Sequence, residues 1–147
     1  MRFDLPEDKI FVHETRVPIE WGDMDALGHV NNATYFRYME NARVGWMHSV
    51  GAQPDGQGLG PVIVNTFCNF LRPLVFPGEV VAKLYVARPG RSSFDSFVTM
   101  ERVDEPGVVS AAGGATIVWF DATTQRSVPL PAFLREHLQG RNWEADR

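Results

Sequence analysis

The sequence predicts an α+β fold, one long helix laid against an antiparallel sheet of five or six strands that wraps around it. Two observations carry this. Residues 32–50 repeat apolar side chains at helical spacing: Tyr35, Met39, Ala42 and Trp46, with Phe36 and Met47 widening the stripe. Four β-patterned stretches follow, separated by short turns, and short connections join antiparallel neighbours. One more β-rich stretch precedes the helix, which gives the order strand, helix, four strands. A chain of 147 residues, 44% hydrophobic and 22% charged, is the size and mix of one domain, residues 1–147 with a core over 12–138.

Each element has a local reason. Residues 1–10 are a polar lead-in, too charged and too broken for a signal peptide. Residues 11–20 are β-rich, and Pro18, which cannot donate to a ladder, puts them at a sheet edge or strand end. After a loop at 21–30, Asn31 or Asn32 can cap the helix and Gly51 stops it. Residues 51–60 form a flexible loop. Their Gly56-x-Gly58-x-Gly60 lacks the preceding strand and following helix of a dinucleotide fingerprint. Strands follow at 61–71, 79–88, 92–103 and 108–121. Pro73 with Pro77-Gly78, then Pro89-Gly90, then Asp104-Glu105-Pro106-Gly107 mark the turns. Gly113-Gly114 inside the last strand signals a bulge or a close backbone approach. Residues 131–138 fit a short helix with proline at its start.

Composition removes several classes of function. Net charge is −4 with no run of Lys or Arg, which argues against a nucleic-acid footprint and a polybasic membrane patch. No apolar run is long enough to cross a bilayer. The one cysteine, Cys68, allows no internal disulfide, which fits a reducing, cytoplasmic setting. Cys68 lies in an apolar strand and reads as a small buried hydrophobe rather than a nucleophile. His13, His29, His48 and His137 show no metal-ligand spacing.

The segment that carries chemistry is 21–43, Trp-Gly-Asp-Met-Asp-Ala-Leu-Gly-His-Val-Asn-Asn-Ala-Thr-Tyr-Phe-Arg-Tyr-Met-Glu-Asn-Ala-Arg. It places a carboxylate, Asp25, in a glycine-bounded loop that runs into a helix start. A helix start offers unpaired N–H groups and a partial positive charge, where an oxyanion or polarised carbonyl can be held. An acid or base beside such a helix end is a minimal acyl-transfer site. Asp25 can equally be read as an Asx-turn residue, and Asp23 as a structural residue that orients the loop.

Gly22-Asp23-Met24-Asp25, Gly28-His29-Val30-Asn31-Asn32, Tyr35 and Glu40-Asn41-Ala42-Arg43 resemble a known family. It is the 4-hydroxybenzoyl-CoA thioesterase-like class of the hot-dog fold, in particular its His-Val-Asn-Asn acyl-CoA thioesterases. Phe70-Leu71-Arg72-Pro73 with Pro77-Gly78-Glu79 resembles that family's strand and hairpin, and the likeness runs over 12–138. The resemblance implies that Asp25, four residues before His29, is the catalytic carboxylate, as general base or as nucleophile. It implies a thioester carbonyl held by backbone N–H groups near Val30, Asn31 and Asn32. His29 and Tyr35 then line the site, and Arg91 with Ser92 meets the phosphates of coenzyme A. It further implies a homodimer or homotetramer with pockets between subunits. No cofactor is expected, because coenzyme A is part of the substrate.

Each residue also has a plainer reading. His29 reads as an exposed loop histidine, Asn31 and Asn32 as caps, Tyr35 as core, and Arg88 and Arg91 as solvated turn residues. Glu40 and Arg43, three apart on the helix, read as an ion pair. The other functional readings are an acyl-carrier-protein thioesterase, a hot-dog hydratase, and a non-catalytic acyl-thioester-binding module.

Overall fold

The computed structural model describes residues 3–139. Strand β1 (Ile10–Ile19) leads through a short 3-10 turn at Trp21–Asp23 to helix α1 (Asn32–Ser49). Then come β2 (Leu59–Phe70), β3 (Gly78–Ala87), β4 (Ser93–Arg102), β5 (Val109–Asp121), the two-residue β6 (Arg126–Ser127) and helix α2 (Ala132–Leu138). Every pairing is antiparallel, in the order β1-β3-β4-β5-β2 with β6 beside β5. The predicted α+β hot-dog architecture is therefore observed, with element ends moved by two residues at most. Pro18 sits in β1, which pairs only with β3 and is an edge of the sheet. The predictions lacked β6, because two residues leave no alternation to read.

One face of the sheet holds α1. Val80, Ala82, Leu84 and Val86 of β3 alternate inward, as do Phe94, Val98 and Met100 of β4, and all are buried. Against them α1 buries Tyr35, Tyr38, Met39, Ala42, Trp46 and Met47, with Trp46 edge-on to Phe94 at 6.0 Å. Each buried Val, Leu, Phe or Met among them contributes about 1.5–3 kcal/mol of transfer free energy. The Gly113-Gly114 signal resolves as close approach. A Cβ on Gly113 would strike the Phe67 carbonyl and come within 2.7 Å of Met39 Sδ; one on Gly114 would lie 2.7 Å from Phe97 Cδ1. The sheet's register shifts fall elsewhere. On the outer face the lead-in is seated by Phe3 against Phe67 at 5.2 Å and by Lys9 Nζ over the Tyr85 ring at 5.1 Å.

Register decides which loops meet. Ile19 pairs with Gly78, so the 20–31 loop, the start of α1 and the β2–β3 connection share one end of the sheet. The β3–β4 turn and the 51–58 loop lie at the other end. Ten residues of β3 separate the two ends, about 30 Å at about 3.3 Å per residue. The predicted flexible loop is tied down: Asp55 Oδ1 accepts from the N–H groups of Gln57 and Leu59, and Ala122 N–H donates to Gly58 O.

Candidate active site

Two carboxylates two residues apart have opposite surroundings. Asp23 is buried, and both its oxygens are taken. Oδ2 accepts from Tyr38 Oη at 2.7 Å and from Glu20 N–H at 2.9 Å, and Oδ1 from Arg37 Nη2 at 3.2 Å. Its backbone carbonyl takes Asn31 N–H at 2.9 Å. Burial, and then the bond to Asp23, push the Tyr38 phenol far above its ordinary value, so it stays a donor. Asp23 thus ties β1, the loop and α1 together. Asp25 is only half-buried. One oxygen closes an Asx turn with Leu27 N–H at 2.9 Å, and among the described residues the other has no partner.

Asp25 is held in place by its backbone. Its N–H donates to His29 O at 2.9 Å, and its carbonyl accepts from Gly28 N–H at 3.1 Å. Met24 and Val30 bridge across the base of this small lobe. Gly28 has φ +83°, a conformation that favours glycine, and this lets the lobe turn back toward the helix.

The donors at the start of α1 can be assigned one by one. Val30 N–H goes to Leu74 O at 2.8 Å and Asn31 N–H to Asp23 O. Ala33 N–H goes to the capping Asn31 Oδ1 at 2.9 Å, and Thr34 N–H to Asn31 O. Asn32 N–H has no partner among the described residues. The Val30 and Asn31 amides thus serve the fold, and of the three expected amides Asn32 N–H alone is left without a partner among the described residues. Tyr35 is buried, and its hydroxyl accepts Leu74 N–H at 3.0 Å, pinning the β2–β3 connection to the helix.

A groove of about 290 Å3 opens here, lined by His29, Val30, Asn32, Tyr35, Phe70, Leu71, Arg72 and Pro73. Four predicted site residues therefore meet in one place, with Asp25 on the adjoining lobe and Asn31 as the cap. Phe70 stands edge-on to Tyr35 at 5.0 Å and to Phe36 at 6.5 Å. Arg91 and Ser92 are not brought to it. They sit in the β3–β4 turn at the far end, where the Arg91 carbonyl accepts from Leu130 N–H and Arg135 Nη2, and Ser92 O accepts from Trp119 N–H. Glu40 and Arg43 form no ion pair. Burial lowers the Arg43 pKa and Glu40 opposes it. Burial pushes the Cys68 thiol up to about 11, which suits the non-nucleophilic reading. No cluster of three or more potential metal ligands exists among the described residues.

Sequence reasoning missed two residues. Arg72 lines the groove. Arg102 donates to the carbonyls of Val75 and Pro77 at 2.8 and 2.9 Å and so clamps the β2–β3 connection, which supplies Leu71, Arg72 and Pro73 to the groove. Arg72 lay within the quoted Phe-Leu-Arg-Pro run, so its place beside a turn was legible. Arg102 carried no signal, since its role depends on β3–β4 register.

Residues 19–138 match the model of the thioesterase-like superfamily. The chain is 26% identical over 130 residues to the long-chain acyl-CoA thioesterase FadM of Escherichia coli, covering 86% of this chain and 96% of that one. Among solved structures it resembles PA2801, a putative thioesterase from Pseudomonas aeruginosa. There the identity is 36% and the TM-score 0.83, over 87% of this chain and 98% of that one. A Thermus thermophilus thioesterase complexed with coenzyme A and zinc is 30% identical with TM-score 0.74, over 88% and 99%.

Proposed function

The chain belongs to the thioesterase-like superfamily, and on that premise we propose that it hydrolyses an acyl-CoA to the free acid and coenzyme A. One observation supports this most. The carboxylate with a free oxygen, Asp25, and the amide with a free hydrogen, Asn32 N–H, belong to one hydrogen-bonded lobe at the start of α1. Asp25 takes a proton from water as the water oxygen attacks the thioester carbon. Equally, the carboxylate attacks that carbon itself, and water then opens the resulting anhydride. In both routes the carbonyl oxygen becomes negative before the C–S bond breaks. The Asn32 N–H and the partial positive charge of the helix end stabilise that oxygen. The leaving thiolate needs no strong general acid, and no cofactor enters the scheme.

The working unit in this reading is a homodimer or a larger homo-oligomer. Within one chain, Arg91 and Ser92 lie too far from Asn32 to share a substrate's reacting end. They can reach the phosphates of coenzyme A only from a second copy.

The test is turnover of an acyl-CoA panel varied in chain length and aromaticity, followed by release of the free thiol. Asp25→Asn is expected to lower the rate by about 10²–10⁴-fold, the usual loss for a general base. Wild-type protein inert toward every thioester, or an Asp25→Asn protein as fast as wild type, would overturn the proposal.

A further inference from the structure

The groove beside Asn32 contains a cation with nothing to pair with. Arg72 lines it, is exposed, and makes none of the ion pairs or side-chain hydrogen bonds found among the described residues. Arg16 meets Glu79, Arg37 meets Asp23, and Arg102 meets Asp104; Arg43, Arg88, Arg91 and Arg126 also lack such partners among the described residues, but none of them lines this groove. No carboxylate lines the groove, whose remaining polar groups are His29, Asn32 and the Tyr35 hydroxyl. That hydroxyl is already engaged by Leu74 N–H. The backbone of Arg72 is fixed, its N–H donating to Ser110 O at 2.9 Å, so the side chain springs from a set position. The rest of the lining is apolar: Val30, Phe70, Leu71 and Pro73.

A short, largely apolar cleft with an unpaired guanidinium in its lining suits a short hydrocarbon segment ending in an anion. The phosphates of coenzyme A are poor candidates for that anion. The pantetheine arm separates them from the sulfur, and a cleft of about 290 Å3 is at the small end for any ligand. It cannot hold the thioester and the whole arm together. An anion within reach of Arg72 while the carbonyl meets Asn32 therefore belongs to the acyl group. Arginine's planar fork also matches a carboxylate with two parallel hydrogen bonds.

We propose that Arg72 is a specificity-determining residue that pairs with a carboxylate on a short acyl chain, making half-thioesters of dicarboxylic acids the preferred substrates. This rests on the thioesterase reading and narrows it. The variants are Arg72→Gln and Arg72→Lys; both keep the backbone bond to Ser110, and an unchanged thermal midpoint checks folding. The substrates are glutaryl-CoA and its neutral counterpart pentanoyl-CoA, with the N-acetylcysteamine thioester of each acid, which lacks most of the pantetheine arm.

Wild type is expected to favour the glutaryl over the pentanoyl thioester in both series. Arg72→Gln should lower kcat/KM for the glutaryl thioesters about 5- to 30-fold, as for one hydrogen bond to a charged group at a solvent-open site. The pentanoyl thioesters should change less than about 2-fold, and Arg72→Lys should restore part of the glutaryl rate because charge remains. Equal losses on both acyl groups overturn the proposal. So does a loss confined to the CoA series, which would assign Arg72 to the pantetheine arm. If wild type turns over pentanoyl-CoA and glutaryl-CoA alike, this inference fails and the thioesterase reading stands. If it turns over no thioester, the thioesterase reading fails. Binding of free glutarate against pentanoate, followed by tryptophan fluorescence in wild type and Arg72→Gln, then decides the Arg72 site on its own.

Discussion

Asp23 and Asp25 show how two identical side chains acquire different work from their neighbours. Asp23 accepts three hydrogen bonds in a buried setting, one of them from a Tyr38 phenol held protonated by burial. Removing its charge weakens all three, and each hydrogen bond to a charged group is worth about 1.5–3 kcal/mol. The exposed Arg37 partner contributes least. Asp23→Asn is therefore expected to lower the thermal midpoint markedly, whereas Asp25→Asn, with one local turn bond at stake, should leave it within a degree or two. Calorimetry on the two proteins checks this, and equal midpoints would show that Asp23 is not the structural member of the pair. The motif itself brought Asp25 forward. Which carboxylate is free depends on Tyr38, and Tyr38 fell outside the apolar stripe because a tyrosine at that position gives no hint of a partner fifteen residues back. The same limit applies to the amides: a helix start was legible, but the assignment of all but Asn32 N–H to Leu74, Asp23 and Asn31 required the fold.

At the scale of elements, β5 depends on two residues having no side chain. Gly113 faces α1 and Gly114 faces the outer sheet surface, and neither can gain a Cβ without meeting backbone or a ring. The obstacle at Gly113 includes the Phe67 carbonyl, which cannot move without breaking the β2–β5 ladder, since Phe67 pairs with Gly114. Overpacking ordinarily costs about 1–3 kcal/mol. Gly113→Ala is expected to reach the top of that range, measured by urea unfolding. A loss below about 0.5 kcal/mol would mean that the helix and β2 yield more easily than close packing allows. The sequence narrowed this pair to bulge or close approach and could go no further, because the answer rests on Phe67 of β2 and Met39 of α1, 46 and 74 residues before Gly113. The strands were legible from alternation and turn residues. The two-residue β6 was not, and neither was the anchoring of the 51–60 loop through Asp55.

For the whole molecule, the open question is what covers β2. This strand pairs with β5 on one side only, and along its length Val62, Ile63 and Val64 are exposed, with Val44 of α1 exposed as well. Unpaired strand edges with apolar side chains invite another strand, and most homo-oligomers solve this by a two-fold that pairs like with like. The other edge, β1, is protected differently: it carries Pro18 and an Arg16–Glu79 ion pair. The two edges are thus unequal, and self-association through β2 is the reading that also lets Arg91 and Ser92 of a second copy approach the groove. Light scattering is expected to give a mass of at least twice 16.5 kDa at micromolar concentration. Replacing both Val62 and Val64 by Asp puts like charges face to face across such a two-fold and should shift the protein toward monomer. Neither side chain lines the groove beside Asn32. A monomeric variant should therefore keep its turnover of N-acetylcysteamine thioesters if that groove is complete within one chain. It should lose affinity for the CoA thioesters if the phosphates are held by the second copy. A wild-type protein that stays monomeric would overturn self-association, and a double variant that remains dimeric would move the interface away from β2.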